Sequence, residues 1–383
     1  MGKHRKESSL FQLIDRKHFD ELVAKWGMDK GIRSFSTWEM TCSLVHCMTM
    51  RLGSFRAVEE TLQVPRSTLG NAMKERCFGF FEELCDQILF QIRGRTKERK
   101  VKRAIREILA IDSTEFSVHG SMFSKPGWSQ RKAFGHKASG KLHVVWNVNG
   151  DWIEDFIITG GRKHDSPVSL KLRLNADKTY VFDRAYNDLA FWLNIVDAGS
   201  HFVTRLKDCV KNRKLRTEVL RKAKSKDGVL YDGDYEPSLV LQIRHRHRLE
   251  AVRIRHIIYR DPLTKKVFHF ATSDFKASAQ AIADIYKQRW AVELLFRWLK
   301  GHLDIRYLAV KNKNAVNIQL ASAVLVQLLL RLKKIVMKFD GTLWSLLRLI
   351  RSTAIREALA LGGVPDGCRW KTPPAFDLPN AYL

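Results

Sequence analysis

Two aspartates in this chain stand where a carboxylate is costly. Asp112 follows Ile108-Leu109-Ala110-Ile111 and Asp183 follows Tyr180-Val181-Phe182, so each acid emerges from an apolar, strand-forming run. A charge beside a buried strand has to be paired or to hold a metal. A turn or a helix cap accounts for one such residue well enough, but less easily for two on neighbouring strands. A third acid, Glu293, lies in a helical pattern over residues 278–303. At about 100° per residue, Tyr286, Arg289, Glu293 and Lys300 fall at roughly 0°, 300°, 340° and 320°. That stripe borders the apolar set Ile285, Val292, Phe296, Leu299 and Leu303. The plainer alternative is a wet face on which Arg289, Glu293 and Arg297 form i, i+4 pairs, worth only tenths of a kcal/mol.

Three carboxylates converging from two strands and a helix suit hard divalent cations, because Mg²⁺ prefers oxygen ligands and keeps positions open for water and phosphate. Two ions about 3.5–4 Å apart would activate a water or a 3′-hydroxyl and stabilise the leaving oxygen of an in-line displacement. The phenol and two cations of the stripe suit a clamp on a DNA phosphate.

These residues need elements to position them. Residues 1–103 carry helix-type apolar spacing, as in Phe19, Leu22, Val23 and Trp26. Within them, 54–63 and 67–76 flank Val64-Pro65-Arg66, with Ser54 and Ser67 as expected N-caps. This is a helix-turn-helix pattern, which occurs both in DNA-binding proteins and in proteins that never touch DNA. The basic cluster Arg93, Arg95, Lys97, Arg99, Lys100, Lys102 and Arg103 reads either as a backbone-contacting edge or as a solvated helix face. From residue 104 the texture changes: strands are expected over 108–116, 142–148, 152–159, 180–182 and 201–206, with Asn149-Gly150-Asp151 as a hairpin turn. Helices are expected over 166–174 and 188–198, with Asp188 better placed as an N-cap than as a metal ligand.

The expected fold is α+β: a ribonuclease H-like mixed sheet with a β-rich insertion at 207–270, preceded by a small helical domain (1–103) and followed by C-terminal helices (311–383), the catalytic domain covering 104–310. Inside the insertion, Arg244, Arg246, Arg248, Arg253 and Arg255 share one side of a strand pair at period two and are expected to form a phosphate track. His245 and His247 fall opposite, without carboxylate or cysteine at ligand spacing.

Charge supports an anionic partner. The 383 residues hold 67 Lys+Arg against 40 Asp+Glu, a net +27, which argues against an ordinary neutral or acidic metabolic enzyme and for nucleic acid or an anionic membrane. The excess is +5 over residues 1–100, +3 over 101–200, +10 over 201–280 and +9 over 281–383, so it gathers in the second half. The most apolar stretch, 315–330, is broken by Asn317, Gln319, Ser322 and Gln327 and is expected to be a core helix and not a membrane span. Acidic residues soon after Lys3, Arg5 and Lys6 speak against a signal peptide. The six cysteines form no C-x-x-C pair, as in a protein kept reduced in the cytoplasm.

On these residues the chain resembles the DDE transposases of the insertion-sequence-four family. The resemblance rests on Tyr286-x2-Arg289-x3-Glu293-x6-Lys300, the family's Y-R-E-K signature, on Ile111-Asp112-Ser113-Thr114, and on Asp183-Arg184-Ala185-Tyr186. It implies that Asp112, Asp183 and Glu293 are the catalytic, metal-binding triad for Mg²⁺, or Mn²⁺ in its place, with two ions. It further implies that Tyr286, Arg289 and Lys300 position the terminal phosphates and a flipped base. The implied reaction is nicking at each element end, hairpin formation, hairpin opening and strand transfer into target DNA. Its implied partners are double-stranded DNA and a second copy of the chain in a synaptic homodimer, on the bacterial nucleoid and not on a membrane. Related transposases use an insertion tryptophan as a stacking probe, yet no Trp lies between Trp192 and Trp290; Tyr231, Tyr235 and Tyr259 are the candidates to replace it. A metal-dependent nuclease without strand transfer, and a helix-turn-helix regulator with a vestigial catalytic domain, are the alternatives.

Overall fold

The computed structural model describes residues 10–97, 106–122, 128, 138–206, 228–235, 254–303, 305, 307–308 and 310–360. The chain divides into two compact units, Leu10–Asp340 and a second formed by Met1–Ser9 with Gly341–Leu383. Of the second, the described part is a helix, Leu343–Ala360, on which Trp344 lies beneath Arg348 and Arg351.

The first unit opens with α1 (Arg16–Lys25), α2 (Thr37–Met50), α3 (Phe55–Leu62), α4 (Arg66–Glu75) and α5 (Phe78–Lys97). Asp15 caps α1, Ser36 and Glu39 form a reciprocal capping box on α2, and Ser54 caps α3. The helix-turn-helix pair is therefore present as α3 and α4. Ser67 is not its second cap, however: α4 starts at Arg66, directly after Pro65, whose fixed φ and missing N–H suit the entry to a helix.

Among the described residues, nine strands then build one mixed sheet. They are β1 (Glu107–Val118), β2 (Ala138–Asn147), β3 (Trp152–Gly160), β4 (Lys178–Phe182), β5 (His201–Arg205), β6 (Val229–Tyr235), β7 (Ile254–Arg260), β8 (Val267–Thr272) and β9 (Tyr307–Leu308). The order is β3-β2-β1-β4-β5-β8-β7-β6, with β9 beside the far end of β1. An antiparallel β1–β2–β3 meander followed by β4 and β5 parallel to β1 is the ribonuclease H-like arrangement. The insertion strands continue this sheet instead of forming a layer of their own, because β8 pairs antiparallel with β5. Arg244, Arg246, Arg248 and Arg253, with His245 and His247, lie outside the described residues.

The connecting helices are α6 (Asp165–Ser169), shorter than the pattern suggested, and α7 (Leu189–Asp197), which Asp188 caps through the Ala190 and Phe191 N–H groups. Beneath α7 the aromatic side chains of Phe182, Phe191, Trp192 and Phe202 pack as one buried cluster, with Trp192 stacked on Phe202 at 4.8 Å. After the sheet come α8 (Ala279–Lys287), α9 (Trp290–His302) and α10 (Lys313–Val336). The expected single helix over 278–303 is thus two helices, interrupted at Gln288 and Arg289.

By length and composition α10 could cross a membrane, but it is almost wholly buried inside the protein. It packs on α2, α4 and α5 on one side and on β3 on the other. Three of its polar residues are paired there, while the buried Asn317 Oδ1 and Gln319 Oε1 have no hydrogen-bond partner. The Gln327 amide accepts from the Ile153 N–H at 3.2 Å and donates to the Asp151 carbonyl at 3.2 Å, Ser322 bonds back to the Ile318 carbonyl, and Asn314 donates to the carbonyls of Met73 and Arg76. A buried amide paired at both ends costs little, whereas an unpaired one costs about 1–3 kcal/mol. Through α10 the helical segment and the sheet share a core within Leu10–Asp340. Among the described residues Cys42, Cys47, Cys77 and Cys85 are all free thiols.

Candidate active site

The parallel pair β1 and β4 runs in register as far as Ile111 opposite Phe182. Asp112 and Asp183 are the next residues in register, so both acids stand side by side where the parallel pairing stops, Asp183 just past the carboxyl end of β4 and Asp112 midway along β1. Each has one oxygen fixed by backbone. Asp112 Oδ1 accepts from the Ser113 N–H at 2.8 Å, and Asp183 Oδ1 accepts from the Ala185 N–H at 2.8 Å, capping the short turn 184–186.

Glu293 reaches the pair from the first turn of α9, by way of Arg289. Arg289 Nη1 donates to Asp112 Oδ2 at 3.1 Å while its Nη2 donates to Glu293 Oε1. One guanidinium therefore bridges an acid of the sheet and an acid of the helix. The side chains are 20% (Asp112), 16% (Arg289) and 31% (Glu293) exposed, a half-sheltered site. Burial pushes the Asp112 carboxyl up to about 6, against the Ser113 N–H and Arg289, while the charges of Asp183 and Glu293 push it the same way as burial. Burial also opposes the charge on Arg289, but Glu293 and Asp112 outweigh it and hold the guanidinium above its ordinary range. The Arg289 Nε–H is buried and has no hydrogen-bond partner.

Tyr286, in the last turn of α8, sets its ring 4.9 Å from Phe270, and burial raises its phenol pKa. It belongs to a cavity of about 190 Å³ walled by Tyr259, Phe268, Phe270, Tyr286 and Trp290, with Arg289 at its edge. Trp290 is half exposed there. Lys300 lies two turns along α9 from Glu293 on the same helix face, partly buried.

The donor set fits a hard divalent ion: all three acids offer oxygen, and backbone N–H groups orient both aspartates. Among the described residues, no three His, Cys, Asp or Glu side chains are already gathered closely enough to enclose an ion, and Arg289 is what stands between Asp112 and Glu293.

Residues 103–329, more than half of the chain, match the family described as the transposase DDE domain. The chain belongs to the DDE transposase family. It is thus a DNA-cleaving enzyme of a class that works with divalent metal ions. A second family, described as a domain of unknown function, matches residues 8–71. The transposase is 29% identical over 338 residues to the probable transposase for insertion sequence element IS5377 of Geobacillus stearothermophilus, covering 86% of this chain and 85% of that one. It is 27% identical over 297 residues to the putative transposase for insertion sequence element IS4SA of a Synechocystis strain, covering 76% and 78%. A solved piggyBac transposase in a synaptic complex with hairpin DNA aligns over 97% of this chain and 87% of its own, with a TM-score of 0.49 and 11% identity, a likeness too low to carry residues or chemistry across.

One part of the transposase differs from what its sequence suggested. Arg255 is no part of a surface phosphate track. Its side chain is 2% exposed and bidentate to Asp232, with both N–O distances 2.7 Å, and its remaining donor meets the carbonyls of Asp274 and Ala277. The partner Asp232 lies on β6, and no local spacing announces that pairing. Asp165 supports the site from outside the three acids. At the start of α6 its Oδ1 accepts from Ser113 Oγ at 3.0 Å and from Lys141 Nζ at 3.2 Å, and lies 3.6 Å from His143 Nδ1. It ties the residue after Asp112 to β2. His143 is fully buried against Thr159 and stays neutral, its pKa pushed down to about 4 by burial, with Asp165 opposing.

Of the stacking candidates, Tyr259 lines the aromatic cavity. Tyr231 packs against His256 instead, at 5.5 Å, and the Tyr235 side chain lies outside the described residues. Phe268, Phe270 and Trp290 were missed. The period-two aromatics of Phe268 and Phe270 carry the signal that would have found the first two, since alternate residues of a strand share a face.

Proposed function

We propose that this enzyme moves an insertion sequence by cut-and-paste transposition, with Asp112, Asp183 and Glu293 as its metal-binding triad. The observation that carries the reading is the pairing register that sets Asp112 beside Asp183 where β1 and β4 part, with Glu293 joined to Asp112 through one guanidinium. Two Mg²⁺ ions bound there, or Mn²⁺ in their place, would lower the pKa of the attacking water or 3′-hydroxyl and stabilise the leaving oxygen. The chain's own part is to orient the aspartates through the Ser113 and Ala185 N–H groups and to exclude bulk water around Asp112. Arg289, Tyr286 and Lys300 would hold the scissile and neighbouring phosphates.

Cleavage is read as leading to hairpin ends: the freed 3′-hydroxyl attacks the phosphodiester of the opposite strand, forming a new ester and expelling a 3′-oxygen. Such a turn strains the end base pair, and a base taken out of the stack needs an aromatic partner. The cavity walled by Tyr259, Phe268, Phe270, Tyr286 and Trp290 supports this step, being rich in aromatic rings and lined also by Asp261, Lys287 and Arg289. Arg244, Arg246, Arg248 and Arg253 remain the proposed phosphate track. Two copies of the chain would hold two element ends, and α3–α4 would bind them, in the bacterial cytoplasm.

The deciding experiment is Glu293→Gln assayed with a labelled duplex carrying the element end. Metal-dependent cleavage is expected to disappear while gel-shift binding of the duplex persists; undiminished cleavage would remove Glu293 from the triad. Joining of the labelled 3′-end to a second duplex separates a transposase from a nuclease.

A further inference from the structure

We propose that Arg289 competes with the divalent ion for Asp112 and Glu293, and that loading the site requires its guanidinium to be exchanged from these carboxylates to a DNA phosphate. The inference rests on the triad reading above and adds to it an antagonist built into the chain.

Three observations carry it. First, Arg289 engages Asp112 Oδ2 and Glu293 Oε1 at once. Asp112 Oδ2 is the oxygen that the Ser113 N–H leaves free, hence the one an ion would ligate. A cation bridging the two carboxylates and a guanidinium bridging them exclude one another by space and by like charge. Second, the arrangement leaves a donor unserved: the buried Arg289 Nε–H has no partner. A buried donor without an acceptor is costly. A phosphate offers a planar guanidinium a fork of acceptors that two separate carboxylates do not. Third, Arg289 sits at the interruption between α8 and α9, its N–H bonded to the Tyr286 carbonyl at 3.1 Å. Its side chain can therefore swing without unwinding either helix. It also borders the aromatic cavity where substrate would enter. Two ligands that exclude each other weaken one another by the same factor, so the ion pairs that hold Arg289 subtract from metal affinity until DNA offers the guanidinium another partner.

The test is calorimetric titration of Mn²⁺ into the full chain without DNA, for the wild type, Arg289→Gln, Arg289→Ala and Arg289→Lys. Removing the competitor is expected to tighten Mn²⁺ binding by about tenfold in the two neutral variants, with Arg289→Lys between them and the wild type, since an ammonium keeps the charge but not the fork. Thermal melts give an independent readout: a fixed Mn²⁺ concentration is expected to raise the Tm of the neutral variants more than that of the wild type. Equal or weaker Mn²⁺ binding by folded Arg289→Gln or Arg289→Ala overturns the competition and leaves the triad reading intact. If neither neutral variant folds, Arg289→Lys decides: affinity at or below the wild type overturns the proposal. Mn²⁺ binding that is unaffected by Glu293→Gln and by Asp112→Asn, or undetectable in every protein, defeats the triad reading itself.

Discussion

Asp112→Asn is expected to make the metal-free protein more stable, not less. A carboxyl that titrates at about 6 in the folded chain and at 3.8 unfolded costs the fold about 3 kcal/mol once the pH lies above both values. The sign follows from proton counting. Below about pH 4 the acid is protonated in both states and contributes nothing. As the pH rises to about 6, the unfolded chain releases its proton first, so stability falls, and above that the loss is constant. An amide at this position removes the cost but also the ion pair to Arg289, and the wild-type side chain is 20% exposed. The net gain expected at pH 7.5 is therefore about 1–2 kcal/mol, read as a Tm a few degrees higher. The assay is a series of thermal melts in EDTA between about pH 4 and 8, repeated with Mg²⁺, which is expected to lift the wild type alone. An Asp112→Asn protein that is less stable than the wild type at pH 7.5 in EDTA, or a difference that does not change with pH, would refute the argument, because it would mean that the Arg289 pair outweighs desolvation.

Other perturbations follow the same physics. His256, buried beside His269 at 3.1 Å, is pushed down to about 4 by burial, with the second histidine adding to it. Its contribution is complete above about pH 6.5 and is lost as the pH falls toward 4, by up to about 3 kcal/mol, so urea unfolding of His256→Phe is expected to show a shallower loss between pH 7 and 5 than the wild type. Gln327→Ala strands the Ile153 N–H in the core and is expected to cost about 1–3 kcal/mol, measurable as a lower urea midpoint. Asp232→Ala leaves the Arg255 guanidinium buried without its partner, and a loss of about 3–5 kcal/mol is expected, with Asp232→Ala/Arg255→Met less destabilised than the single variant.

How much of this was legible in the sequence depended on how far apart the interacting residues lie. Asp112 and Asp183 were visible because an acid ending an apolar run is a local signal, and pairing of β1 with β4 needs only the fold class. The spacing of Tyr286, Arg289 and Glu293 survived the break between α8 and α9, because the interruption keeps near-helical dihedrals at Arg289. The break itself carries no proline or glycine and left no trace. Arg255 was misread because a period-two row of arginines describes a strand face without saying whether that face is wet. Here the chain turns it onto Asp232, the carbonyls of Asp274 and Ala277 complete its pairing, and the charge is buried. The Asp165 contacts join residues 52 and 24 positions apart, beyond the reach of any periodicity.

The way α10 is shared has a consequence for the birth of the protein. The first helices, α2, α4 and α5, close their core around a helix that the ribosome makes only after the whole sheet has emerged. At about 5–20 residues per second, the interval between the end of α5 and the end of α10 is roughly 10–50 s. During it the faces of α2, α4 and α5 that α10 will cover have no partner. An unfinished chain therefore has no completed helical lobe, and a stop codon anywhere before α10 is expected to yield a fragment exposed to proteolysis rather than a shortened but folded protein.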